Sequence, residues 1–152
     1  MEEIDFGKLL RQTLADMDGE IQKSPYKFKI DIPKEAVMVY ADGDRMYRVF
    51  QNLIGNALKY SLEGSRIYIS LKTEKNAAVA DIRNTSRSEL KQDVDFTTRF
   101  TRGDESRTDG GSGLGLSSAK SFTEACGGTF EVETMADLFT VKVSFEQKKC
   151  NV

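Results

Sequence analysis

Apolar residues recur at helical spacing in three parts of the chain. The longest series lies in residues 45–60, where its members stand three or four positions apart and therefore share one face of a helix. They are Met46, Val49, Phe50, Leu53, Ile54, Ala57 and Leu58. Asp42 precedes the series, and its carboxylate can accept the free backbone N–H groups of the first turn. Similar spacing predicts a first helix over residues 4–21 and a third over residues 116–126, which Gly127 and Gly128 end.

Apolar and polar residues alternate between and after these helices, as they do in half-buried strands. The alternating segments are residues 28–32, 37–40, 66–73, 78–82, 129–134 and 138–146. The first two follow each other across Pro33 and predict short strands joined by a turn, and the middle two flank Asn76 and predict an antiparallel hairpin. Because the strands mostly meet as hairpins and the helices suffice to cover one face, the pattern predicts an α+β two-layer sandwich.

The composition is that of an ordinary globular domain. Of 152 residues, 39% are hydrophobic and 30% charged, values that suggest neither disorder nor a membrane span. We therefore expect one domain over residues 1–147 and a frayed tail over residues 148–152. The 22 Lys and Arg residues nearly balance the 24 Asp and Glu residues, so no nucleic acid partner is expected.

Two side-chain types limit the chemistry. The chain has no histidine, which excludes Ser-His and Cys-His catalysis on this chain. Cys126 and Cys150 stand in no metal-ligand spacing, and reduced thiols in a cytosolic setting are the expectation.

The predicted helix over residues 45–60 carries a polar stripe beside its apolar one. At roughly 100° per residue the stripe spans an arc of about 80°. Its members are Arg45, Arg48, Asn52, Asn56 and Lys59. An Asn carbonyl oxygen suits Mg²⁺ and an ammonium group suits phosphate, so Asn56 and Lys59 are candidates to hold a metal-triphosphate. An ordinary solvated polar face is the alternative.

A glycine-rich run, residues 110–116, opens the third helix. Ser112 stands where it can cap that helix, and Gly113 and Gly115 lack a Cβ, so a phosphate can approach the backbone N–H groups at the positive helix end. The run completes neither the dinucleotide-binding pattern nor a P-loop. The alternative is a flexible loop that ends in a cap.

The polar segment between these features, residues 85–112, is too long for a simple connection and indicates a functional lid. Just before it stands Asn84, whose side-chain carbonyl can accept a hydrogen bond from the amine of adenine, or which serves as a turn residue. Arginines beside two phenylalanines in the lid can reach a phosphate, or form an ordinary charged loop. These residues are Phe96, Arg99, Phe100, Arg102 and Arg107.

The order of these segments carries more information than any one of them. In chain order they are Asn52-Leu53-Ile54-Gly55-Asn56-Ala57-Leu58-Lys59-Tyr60-Ser61, then Asn84, then Phe96-Thr97-Thr98-Arg99-Phe100-Thr101-Arg102-Gly103-Asp104, then Gly111-Ser112-Gly113-Leu114-Gly115-Leu116. This order resembles the N, G1, F and G2 boxes of the ATP-binding domain of sensor histidine kinases. That domain belongs to a superfamily with gyrase, the Hsp90 chaperones and the MutL mismatch-repair proteins. The resemblance covers about residues 2–146.

The resemblance implies the Bergerat fold, a mixed and mostly antiparallel sheet with about three helices on one face, and ATP with Mg²⁺ as ligands. By position, Asn56 matches the Mg²⁺ ligand, Lys59 a phosphate contact, and Arg102 the F-box arginine that reaches the γ-phosphate. Asn52 matches the residue one turn before the Mg²⁺ ligand, and Tyr60 an aromatic beside the nucleotide. The G2 segment, whose backbone amides meet the phosphates, is matched by Gly111, Ser112, Gly113, Leu114, Gly115 and Leu116.

The G1 box departs from the family pattern. Where the family usually has Asp-x-Gly-x-Gly, this chain has Asn84-Thr85-Ser86 and neither glycine. An amide oxygen can still accept from adenine, although the bond is uncharged and expected to be weaker, and the lid hinge is expected to be stiffer. With this Asn-Thr-Ser variant the chain looks similar to a subset of transmembrane kinases from Gram-positive bacteria, including the vancomycin-resistance sensors.

The function implied is that of the Mg-ATP-binding catalytic domain of a two-component sensor histidine kinase. Since the chain has no histidine, the acceptor is expected on a separate dimerisation domain, and a response regulator is expected to be a further partner. The domain is expected in the cytoplasm without direct membrane contact, in a parent protein anchored in the bacterial membrane. Two alternatives stay open: a nucleotide-sensing module without catalysis, and a stand-alone serine kinase of the anti-sigma-factor type.

Overall fold

Seven strands and four helices make up the part of the chain described by the computed structural model, residues 1–86 and 113–147. In chain order they are β1 (Glu2–Asp5), α1 (Phe6–Asp16), α2 (Asp18–Lys23), β2 (Lys27–Asp31), β3 (Met38–Ala41), α3 (Gly43–Tyr60), β4 (Arg66–Glu74), β5 (Ala77–Thr85), α4 (Gly113–Ala125), β6 (Thr129–Met135) and β7 (Leu138–Glu146). The side chains of residues 113–115 and the predicted tail, residues 148–152, lie outside this description.

The main sheet has five strands in the order β2-β4-β5-β7-β6. β2 runs parallel to β4, and every other neighbouring pair is antiparallel. The predicted hairpin of β4 and β5 is confirmed, and its turn places Lys75 and Asn76 in the left-handed region at φ 50° and 65°. The predicted α+β class with a mixed, mostly antiparallel sheet is confirmed.

The hydrophobic core lies between one face of this sheet and the helices. Every second residue of the central strands is buried on that inner face, and the apolar stripe of α3 is buried against it as predicted. The ring of Phe6 in α1 lies 5.1 Å from the ring of Phe50 in α3 and 5.5 Å from that of Phe145 in β7. One aromatic cluster therefore joins two helices to the sheet.

The predicted single helix over residues 4–21 is wrong at its start and in its middle. Ile4 lies in β1 opposite Val39 of β3, and helix α1 begins only after Asp5, whose side chain accepts from the backbone of Lys8 at 3.2 Å. The helix is interrupted at Met17 and resumes as α2. β1 and β3 form a two-stranded ribbon. The spacing of apolar residues in 4–21 did not predict this ribbon, because β3 lies more than thirty residues away from β1 in the chain.

The two short strands predicted around Pro33 exist, but they do not pair with each other. β2 joins the main sheet beside β4, whereas β3 pairs with β1 in a separate ribbon. Backbone contacts explain the separation, because the N–H of Phe6 donates to the carbonyl of Val37 at 2.8 Å. This hydrogen bond places the segment that leads into β3 beside the start of α1 and not beside β2.

Candidate functional site

Helix α3 forms one wall of the candidate site, and its start is fixed by a side-chain cap. The Asp42 carboxylate accepts from the backbone N–H groups of Asp44 at 3.0 Å and Arg45 at 3.2 Å, as the sequence predicts. On the side of α3 that faces α1, the Tyr47 hydroxyl donates to Asp16 at 2.5 Å. This hydrogen bond, with smaller contributions from burial and the Asp16 charge, raises the pKa of Tyr47 above its ordinary value of 10.0. Both contacts hold α3 in place.

The polar stripe of α3 runs along the border with α4. The Arg45 guanidinium lies 5.9 Å from the centre of the Phe122 ring of α4 and 3.7 Å from the Asp42 carboxylate. Burial increases along the stripe, since Arg45 and Arg48 are exposed whereas Asn56 is only 8% exposed. Asn56 is therefore not part of a solvated polar face.

The side-chain carbonyl oxygen of Asn56 is buried and has no hydrogen-bond partner among the described residues. A buried acceptor left unsatisfied costs about 1–3 kcal/mol, so this oxygen is placed to accept from an electropositive group outside the described residues. Mg²⁺ fits this donor, because it prefers oxygen ligands and commonly takes one or two from the protein and the rest from phosphates and water. No cluster of three or more His, Cys, Asp or Glu side chains offers another metal site in the described parts of the chain.

The end of α3 is tied to the end of β5. Leu62 donates its N–H to the carbonyl of Thr85 at 2.8 Å, and Ser61 and Ser86 form an antiparallel bridge. We call these residues, 60–62 and 84–86, the α3–β5 junction. It places Lys59 and Tyr60, in the last turn of α3, at the strand end that carries Asn84.

Asn84 lies within a strand and not in a turn. In β5 it stands opposite Ile67 of β4 and Phe139 of β7, on the inner face of the sheet, and it is only 3% exposed. The turn-residue interpretation is therefore wrong. A polar side chain at the inner, helix-facing end of the strand is placed where a ligand beside α3 can reach it.

The first two residues of the predicted lid, Thr85 and Ser86, are held on both sides by backbone contacts. Besides the bond from Leu62 to Thr85, the N–H of Ser86 donates to the carbonyl of Asp137 in the β6–β7 turn at 2.6 Å. Sequence reasoning did not find these contacts, since backbone groups distant in the chain leave no signal in residue type.

Helix α4 starts at Gly113 within the glycine-rich run. The Leu116 side chain is 1% exposed and belongs to the core, so contact of this residue with a ligand would come from its backbone. The helix ends as predicted, because Gly127 adopts φ 86°, which an L side chain rarely tolerates. The predicted site residues Arg102, Gly111 and Ser112 lie outside the described residues, as do the side chains of Gly113, Leu114 and Gly115.

Comparison with known protein families identifies the fold. The family model of histidine kinase-, DNA gyrase B- and HSP90-like ATPases matches residues 41–148, which is well over half of the chain. The chain belongs to this ATPase family. The matched range contains α3, Asn84 and the glycine-rich run, so the family membership rests on the elements that build the candidate site.

Curated relatives narrow the family to sensor kinases, and a solved structure shares the fold. The chain is 35% identical over 135 residues to the sensor histidine kinase YcbM of Bacillus subtilis, covering 86% of this chain and 43% of the relative. It is 30% identical over 118 residues to the sensor protein GtcS of Aneurinibacillus migulanus, covering 76% and 31%. The nucleotide-free catalytic domain of histidine kinase ThkA superposes with a TM-score of 0.82 at 23% identity, covering 97% of both chains.

The chain spans less than half of the length of these curated relatives. As a family member it is an ATP-binding domain homologous to the catalytic domains of sensor histidine kinases. None of the described helices is long and apolar enough to cross a membrane.

Proposed function

We propose that this ATPase-family domain binds Mg-ATP between α3 and α4 and presents the γ-phosphate to a histidine on a separate dimerisation domain. The observation that carries the proposal is the buried carbonyl oxygen of Asn56, at the border of the two helices, which has no partner among the described residues. The family resemblance matches Asn56 to an Mg²⁺ ligand, and a buried acceptor without a partner among the described residues supports that match.

Each remaining site residue has a distinct task in this proposal. Asn56 would hold Mg²⁺, which neutralises phosphate charge when bound. Lys59 would contact a phosphate, and Asn52 would support the site from one turn earlier. Tyr60 would lie beside the nucleotide, and Arg102 would reach the γ-phosphate. The backbone amides of residues 111–116 would meet the phosphates at the start of α4.

Catalysis by this domain would consist of positioning and charge stabilisation, with no covalent step on the chain itself. The sequence has no histidine, so the acceptor would be supplied in cis or in trans. We propose residues 1–147 as the catalytic unit of a membrane-anchored parent protein, working in the cytoplasm with a response regulator as the next phosphate acceptor.

A phosphotransfer assay tests the proposal. Labelled Mg-ATP is incubated with this domain and a separately purified dimerisation domain that carries the acceptor histidine, and a variant with that histidine replaced serves as control. We expect acid-labile, alkali-stable label on the dimerisation domain and none on the control, because phosphohistidine has these stabilities.

Two other outcomes would contradict the proposal and identify its alternatives. Acid-stable label on serine of an added protein would indicate a serine kinase of the anti-sigma-factor type. Binding of Mg-ATP without transfer to any acceptor would indicate a nucleotide-sensing module.

Replacing Asn84 with alanine is expected to weaken ATP binding by roughly five- to tenfold, the loss of one neutral hydrogen bond to the adenine amine. Binding of purine riboside triphosphate, which lacks that amine, is expected to stay unchanged. Titration calorimetry with both nucleotides measures the ratio of affinities. Asn76→Gly, in the exposed β4–β5 turn, is the matched control. Equal losses for both nucleotides would show that Asn84 is needed for structure and not for adenine recognition.

A further inference from the structure

A side chain distant from α3 in the sequence forms a hydrogen bond with the residue that caps the end of that helix. The hydroxyl of Tyr26, which stands just before β2, donates to the carbonyl oxygen of Ser61 at 3.1 Å across a separation of 35 residues. Tyr26 is half-buried and packs against the core. This hydrogen bond therefore links the edge of the main sheet to the α3–β5 junction.

Ser61 is itself held tightly to the helix that precedes it. It is fully buried, and both its N–H, at 3.1 Å, and its hydroxyl, at 2.5 Å, donate to the carbonyl of Ala57. With its donors satisfied by the helix and its carbonyl satisfied by Tyr26, the Ser61 backbone has one defined orientation. Tyr60 is the residue directly before it, so the direction of the Tyr60 ring depends on that orientation.

We propose that Tyr26 is a positioning residue for nucleotide binding, which acts by fixing Ser61 and through it the ring of Tyr60. This inference rests on the proposed function, in which Tyr60 lies beside the nucleotide. The ring of Tyr60 has only two side-chain torsions, so a small rotation of its backbone displaces the whole contact surface. Lys59, with a long flexible stem, can compensate for such a rotation.

The turn after α3 stays in place without the Tyr26 hydroxyl. Gly64 donates to the carbonyl of Pro25 at 3.2 Å, and Lys27 donates to the carbonyl of Ser65 at 3.2 Å, so two backbone hydrogen bonds hold this turn against the start of β2. Tyr26→Phe removes only the hydroxyl and keeps the buried ring. Its effect is therefore expected in nucleotide affinity more than in the folding of the domain.

The test is a double-mutant cycle on Mg-ATP affinity, measured by titration calorimetry with the whole chain. We expect Tyr26→Phe to weaken Mg-ATP binding by about three- to tenfold in the unchanged protein and by less than about twofold in a Tyr60→Leu background. Tyr68→Phe, on the exposed outer face of the neighbouring strand, is expected to leave the affinity unchanged.

The cycle separates positioning from a general loss of structure. A variant that is merely destabilised would lose affinity by the same factor in both backgrounds, and equal factors would overturn the inference. Wild-type affinity for Tyr26→Phe would overturn it as well. If Asn56→Ala weakens binding while Tyr60→Leu and Tyr26→Phe do not, the inference fails and the proposed function stands. If Asn56→Ala and Tyr60→Leu both retain full affinity, the proposed site itself fails.

Discussion

Asn56→Ala is expected to abolish measurable Mg-ATP binding and to leave the free domain as stable as before or more stable. Loss of a protein ligand to Mg²⁺ is expected to weaken binding by more than about 100-fold, since even the loss of supporting contacts around a metal costs about 10- to 100-fold. In the free domain the same carbonyl is a buried acceptor without a partner in the described parts of the chain. Its removal relieves a penalty of about 1–3 kcal/mol, and alanine also favours the helix.

The variant is expected to lose affinity for Mg-ATP while its free energy of unfolding stays the same or rises. A general loss of structure would lower both. Titration calorimetry with ATP is performed in Mg²⁺ and in excess chelator, and urea denaturation without nucleotide gives the free energy of unfolding. In the variant, ATP binding is expected to be no stronger in Mg²⁺ than in chelator. Gln51→Ala, an amide truncation on the same helix, is expected to keep the Mg²⁺ dependence. A variant that binds Mg-ATP normally, or one that unfolds more easily than the parent, would contradict the assignment of Asn56.

Gly128→Ala is expected to destabilise the domain by about 3 kcal/mol, at the upper end of the usual cost of overpacking a core. A Cβ at this position would lie 2.7 Å from two ring atoms of Phe145 and 2.9 Å from the carbonyl oxygen of Ser144. Phe145 is buried and its ring packs edge-on against Phe6. Ser144 is paired with Val79 on one side and Thr129 on the other. Neither neighbour can move without disturbing the aromatic cluster or the sheet.

Thermal and urea unfolding of the free domain measure this effect. The melting temperature is expected to fall by about 6 to 12 °C. Gly19→Ala in α2 is the matched control, because a Cβ there meets nothing within 4 Å. Alanine at that helical position is expected to stabilise the domain by up to about 1 kcal/mol. Equal stability of the two variants would show that the space around Gly128 adjusts at little cost.

Local patterns predicted the elements whose hydrogen bonds or packing faces lie within a short stretch of chain. The helix α3, its Asp42 cap, the β4–β5 hairpin and the left-handed end of α4 at Gly127 were all predicted correctly, because residue type at a fixed spacing determines them. The β1–β3 ribbon and the parallel placement of β2 were missed. Their partners lie far away in the chain, and alternation of apolar residues does not specify which strand pairs with which.

Local sequence patterns likewise predicted only part of the candidate site. The spacing along α3 placed Asn52, Asn56 and Lys59 on one polar stripe, and the order of the motifs resembled one ATPase family, which the family comparison confirms. The roles assigned to the site residues stay predictions, and Arg102 and most of the glycine-rich run lie outside the described residues.

By itself the sequence determined the class of the fold, the main helix of the candidate site and the residue types that stand along it. Only the tertiary structure decided that the Asn56 carbonyl is buried without a partner among residues 1–86 and 113–147, that Asn84 faces inward from a paired strand, and that Tyr26 holds the end of α3. The physical reason is that burial and hydrogen-bond satisfaction depend on neighbours brought from elsewhere in the chain. The same amide side chain is an ordinary surface group when solvated, and becomes a candidate ligand when it is desolvated and unpartnered.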